Sequence, residues 1–171
     1  DSQSVSTLMH CITEFERISD HAVNVVESVQ EMNKREQHFS KKAVEEMEVY
    51  KDAISDILDR SVGAFVNADE ELAKTVEPLE EVIDELNKNV KKRHIKRLRK
   101  GKCTIELGLV LSDIATSYER VADHCSNIAV YMIQVQDNQI EEHGLIEYLK
   151  DDENEHFEEQ VAAFRKKYEL P

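Results

Sequence analysis

The sequence predicts an all-α, elongated up-and-down helical bundle, and three observations on its 171 residues carry that expectation. There are only two Pro and four Gly, too few breakers for a sheet protein of this size. Apolar residues recur at alternating steps of three and four over long stretches, the spacing of one buried helix face. The connections between these stretches are short, which makes consecutive helices antiparallel neighbours. The length fits one domain able to bury ~70% of its unfolded surface, so folding requires no disulfide, metal or other cofactor.

In chain order, Leu8, Cys11, Phe15, Ile18, Ala22, Val25, Val29 and Met32 form the seam of a first long helix. A second helix is expected from about Ser40 to Val66, with Met47, Tyr50, Ile54, Ile57 and Phe65 inward. Asn67-Ala68-Asp69 reads as the turn after it, with Asp69 as the N-cap of the next helix. That third helix carries Leu72, Val76, Leu79, Ile83, Leu86 and Val90. Pro78 lacks the N–H that would bond the carbonyl of Lys74, so a kink or a late start near Glu77 is expected. Gly101 closes this helix, and after Lys102 a fourth carries Leu107, Leu111, Ile114, Tyr118, Val121, Cys125, Ile128 and Met132. Past Asn138 the pattern weakens and Gly144 interrupts it. A last short helix with Phe157, Val161, Phe164 and Tyr168 is expected to pack across one end, and the acidic stretch from Asp151 to Glu159 reads as a solvated loop and helix start.

Several function classes fall away on composition. Cys11, Cys103 and Cys125 are an odd set without CxxC spacing, which argues against a disulfide framework or a thiolate zinc site and for a reducing compartment. Cys11 and Cys125 lie on seams, as small core residues do. No apolar run approaches the ~20 residues needed to span a bilayer, and no secretory leader pattern precedes the first helix. A net charge of −14 argues against nucleic acid as a partner.

An offset of 103 residues aligns the segment from Thr13 to Val25 with that from Thr116 to Ile128. Thr, Glu, Arg, Asp, His and Asn all recur, so the polar set repeats along with the apolar one. Residues four apart share a helix face, which makes Glu16, Asp20 and Asn24 one ladder of oxygen donors and Glu119, Asp123 and Asn127 a second. Ser112 and Thr116 extend the second stripe with small residues, as on a face that approaches another helix. Glu80 and Asp84 repeat the ExxxD spacing on the third helix and offer an opposite wall. Carboxylates ~5 Å apart repel by roughly 3 kcal/mol at an effective dielectric near 20, so a convergent set calls for a cation or shared protons. Oxygen ligands suit hard divalent ions, and a nearby imidazole widens the choice to iron, zinc or nickel. His21 and His124 come directly after the aspartates but point ~100° around the helix, which suits pairing better than ligation.

These residues resemble the PhoU family: Phe15-Glu-Arg-Ile-Ser-Asp-His-Ala-Val-Asn24, Glu80-Glu-Val-Ile-Asp-Glu-Leu86 and Tyr118-Glu-Arg-Val-Ala-Asp-His-Cys-Ser-Asn127. More narrowly, they are similar to the PhoU-like C-terminal cytoplasmic domain of bacterial sodium/phosphate cotransporters. The resemblance covers roughly residues 1–135; Ser19 and Ala122 stand where the family often has Gly. It implies repeated three-helix units whose ExxxD motifs hold metal clusters, with Glu16, Asp20, Asn24, Glu80, Asp84, Glu119, Asp123 and Asn127 as ligands of divalent or iron-type ions. Residues 1–37 then correspond to the motif helix of a truncated first unit, 38–136 to a complete unit and 137–171 to a tail. The implied role is a non-catalytic regulatory or coupling domain on the cytoplasmic face of a membrane protein, partnered by the transporter's membrane-embedded part.

Blander readings stand beside these. Glu16 and Glu119 also suit pairing with Arg17 and Arg120, at little gain in stability per exposed pair. Eight of the twelve residues from Lys91 to Lys102 are Lys or Arg, which fits helix-dipole complementarity or contact with anionic lipid. A plain interaction module, including a homodimer through the first helix, is the alternative role. A ferritin-like di-metal enzyme needs two inward ExxH motifs, and only Glu153 to His156 has that spacing.

Overall fold

A computed structural model describes residues 2–136 and 154–171. Helix α1 (Ser2–Lys34) is followed by α2 (Lys41–Asn67), the short α3 (Glu70–Lys74), α4 (Val76–Arg99), α5 (Ile105–Gln136) and α6 (Asn154–Lys167). Residues 137–153 lie outside the described residues, and with them Gly144, Asp151 and Glu153.

The caps explain the boundaries. Ser40 accepts a hydrogen bond from the Ala43 amide at 3.3 Å and Asp69 one from the Leu72 amide at 3.0 Å, each satisfying a donor that the first helical turn leaves open. The third expected helix divides at Thr75, whose hydroxyl donates back to the Leu72 carbonyl, and α4 starts at Val76. That is the late start, with Pro78 inside the first turn, where its missing N–H costs nothing. Gly101 takes φ of 65°, and Lys102 N bonds the Arg97 carbonyl, a left-handed close that reverses the chain into α5.

α5 is the central element: α2 and α4 pack on one side of it and α1 on the other. Tyr50, Ile57, Leu79, Ile83, Leu111 and Ile128 are fully buried, each contributing roughly 1.5–3 kcal/mol by leaving water. Tyr50 and Ser61 donate to the carbonyls of Ala115 and Cys125, pinning α2 to α5 at two heights. Gly108 allows the close approach of α4, since a Cβ there would lie 3.0 Å from Leu98. Cys11 and Cys125 are buried, and burial pushes their thiols up to about 11 and about 12.

α6 departs from its expected place across one end. It lies lengthwise against α2 and α4: Arg165 forks onto Glu85, the Arg60 guanidinium sits 4.9 Å from the centre of the Phe164 ring, and Lys167 and Tyr168 both donate to Asp56. The apolar stripe of α6 needs a groove as long as itself, and the α2–α4 groove supplies one.

His94 is buried beside Arg97, and burial first and that guanidinium second hold its imidazole below its ordinary value of 6.5, with Glu46 opposing. The unfolded chain therefore binds a proton that the folded chain refuses. Stability should fall as pH drops below about 6.5, by at most about 1.4 kcal/mol per unit from this group. Urea unfolding between pH 7 and 5 should show a shallower decline in His94→Gln than in the parent.

Candidate functional site

α4 and α5 run antiparallel, with Glu77 accepting from Ser126 at 2.6 Å near one end and Lys91 donating to Thr116 at 3.1 Å further along. Between these ties, Glu80 and Asp84 on α4 meet Asp123 on α5. One carboxylate oxygen from each lies within 4.8 Å of the others, and all three residues are half-buried. Burial and then the Glu119 carboxylate push the Asp123 carboxyl above its usual range; Asp84 adds to this and Arg120 opposes it. Arg120 reaches Asp123 only loosely, at 3.8 Å, and Lys88 reaches Asp84 at 3.9 Å. Asn87, two turns beyond Glu80 on α4, is 5% exposed, and its Oδ1 has no hydrogen-bond partner among the described residues.

Hard cations bind oxygen at ~2.0–2.6 Å, so ligand oxygens on one ion are separated by at most ~5 Å. Glu80, Asp84 and Asp123 meet that limit, and a cation among them would offset the repulsion at Asp123. The residues thus fit a divalent or iron-type ion held by three carboxylates from two helices.

The other expected ligands lie elsewhere. Glu119 stays beside Asp123 but outside the triad. Asn127 donates its side-chain amide to Glu14 at 3.1 Å, across to α1. Its displacement is geometric, since each four-residue step advances a helix by ~400° and the ladder drifts ~40° per rung. Glu16, Asp20 and Asn24 are exposed on α1 and join no metal-like cluster among the described residues. Arg17 bonds Glu14 at 3.4 Å rather than Glu16.

Glu14, which the ladder spacing does not single out, is the hub between the repeated helices. It is 5% exposed and accepts from His124 Nδ1 at 2.6 Å as well as from Asn127. His21 and His124, equivalent in the repeat, stack at 5.4 Å between ring centres. A carboxylate three residues after Cys11 and four before Ile18, on the seam itself, was the available signal.

The bundle is of the PhoU kind: the PhoU domain matches residues 34–132, over half of the chain, and the protein belongs to the PhoU family. A curated relative is the phosphate-specific transport system accessory protein PhoU homolog 1 of Thermotoga maritima (strain ATCC 43589 / DSM 3109 / JCM 10099 / NBRC 100826 / MSB8). It is 27% identical over 132 residues, covering 77% of this chain and 56% of its own. The chain thus spans about half the length of that relative. No solved structure gives a significant match.

Proposed function

We propose that this chain is a non-catalytic regulatory or coupling domain in phosphate transport. In this reading Glu80, Asp84 and Asp123 hold a divalent or iron-type cation between α4 and α5. Their convergence is the observation that carries the proposal, and the family membership and the accessory role in the relative's name support the setting. Binding energy realised in only one helix arrangement shifts the balance between arrangements, so the cation fixes the angle of α4 against α5. Among the described residues no helix is long and apolar enough to cross a membrane. We assign the receiving element to the membrane-embedded part of a longer sodium-dependent transporter, with this domain at its cytoplasmic face. Uptake of radiolabelled phosphate by cells whose own gene carries Asp84→Asn tests this. We expect uptake that no longer adjusts when external phosphate is changed; unaltered adjustment overturns the reading.

The repeat supports a second role, association through α1. Leu111, Ala115, Tyr118, Ala122, Cys125 and Ala129 on α5 are buried or half-buried in the bundle. Their equivalents 103 residues earlier are Leu8, Ile12, Phe15, Ser19, Ala22 and Val26, and of these only Phe15 is not exposed. The same face that α5 buries is therefore left open on α1, as a homodimer requires. Ile12 is 55% exposed, so Ile12→Glu should leave the monomer folded. Light scattering at ~100 µM should show dimer for the parent and monomer for the variant, in line with a charge buried unpaired at an interface.

A further inference from the structure

One end of the bundle combines cationic and apolar exposure, and we infer that it docks on an anionic bilayer surface. The start of α2, the end of α4, the turn through Gly101 and the start of α5 meet there. Ser40 and the side chains of Lys41, Lys42, Lys96, Lys100 and Lys102 line a cleft of about 410 Å³, with Arg97 at its inner side. Arg97 is already neutralised by Glu46 at 2.8 Å. Lys41 pairs loosely with Glu45 at 3.8 Å, whereas Lys42, Lys96, Lys100 and Lys102 have no carboxylate partner among the described residues. Glu106, in the first turn of α5, is the exposed acid nearest in sequence to the turn. The unpaired first amides of α2 add partial positive charge at the same place.

Exposed apolar side chains crowd this end as well: Ile105 is 72% exposed and Leu109 62%, with Ile95 and Val44 also exposed. A soluble polyanion would use the lysines and leave these residues in water, whereas a bilayer surface engages both, taking apolar groups ~5–10 Å into the headgroup boundary. Charge complementarity sets the orientation. Eight of the 22 basic residues lie between Lys91 and Lys102 of a chain with net charge −14, so the remainder is more strongly acidic and is repelled from the same surface. The bundle therefore stands end-on, with the lysine ammonium groups around the cleft at the level of the lipid phosphates. This contact is independent of any cation at Glu80, Asp84 and Asp123.

Co-sedimentation of the full chain with phosphatidylcholine vesicles, with and without ~30% phosphatidylglycerol, tests it. Binding should appear only with the anionic lipid. Lys96→Glu combined with Lys100→Glu should weaken it at least about 30-fold, each lysine near such a surface being worth about fivefold. Ile105→Ser combined with Leu109→Ser should weaken it about tenfold at unchanged charge, with far-UV circular dichroism confirming the fold of each variant. Absence of binding to anionic vesicles overturns the inference. So does a serine variant that binds like the parent while tripolyphosphate displaces both completely, since the cleft would then serve a soluble polyanion. Metal-free Asp84→Asn protein should bind vesicles like the parent, which separates this result from the fate of the metal site.

Discussion

Glu46→Ala is expected to destabilise the bundle by about 3–5 kcal/mol, measured as a fall in the urea midpoint at constant slope. Glu46 is 4% exposed, accepts a hydrogen bond from Arg97 Nη1 at 3.0 Å, lies 2.8 Å from Arg97 Nη2 as an ion pair, and has Arg93 at 3.3 Å. The cost does not arise because a buried ion pair is strongly stabilising in itself; desolvation offsets most of its Coulombic gain. It arises because the variant leaves Arg97, whose side chain is 14% exposed, charged and without a carboxylate. Replacing both partners, as in Glu46→Leu with Arg97→Leu, should recover most of the loss. A double variant as unstable as the single one would show instead that Glu46 acts through packing alone.

Asp123→Asn should move stability in opposite directions with and without metal. In the metal-free protein, burial and Glu119 disfavour the ionised carboxyl. A raised folded value means that this carboxylate destabilises at neutral pH, and that the penalty disappears as pH falls through that value towards 3.8. The neutral amide removes the repulsion, so the metal-free variant should melt about 1–3 °C above the parent. With manganese at a hundredfold excess over its dissociation constant the parent should gain about 2.7 kcal/mol, about 5–10 °C for a chain of this length, and the variant nothing. Differential scanning calorimetry in chelator and in metal reads both signs. A variant that is less stable in chelator, or that gains as much as the parent from manganese, contradicts the arrangement.

Helix boundaries were largely legible because caps are local: Ser40, Asp69 and Gly101 act within a turn or two of their own position. The division at Thr75 was legible only as a choice between a kink and a late start, since that choice turns on whether α3 can pack separately. The placement of α6 was not legible, because amphipathic spacing states that a face is covered without stating by which groove. At the candidate site, spacing singles out Glu80, Asp84 and Asp123, and contact between two long helices brings their carboxylates together. Spacing extended the ladder too far at Asn127, where helical drift turns the side chain towards α1. Glu14 and Glu46 are illegible in the sequence for a common reason. Each carboxylate occupies an apolar seam position, and its partners, His124 and Arg97, lie 110 and 51 residues away in sequence.

Manganese titration followed by electron paramagnetic resonance addresses the carboxylate triad most directly. The parent chain should remove free manganese from the spectrum saturably, with at least one ion bound per chain. Asp84→Asn should abolish that uptake, and the combined Glu16→Gln and Asp20→Asn variant on α1 should keep it. Full manganese signal in the presence of the parent, or uptake lost on changing α1 and retained on changing Asp84, would contradict a cation held between α4 and α5.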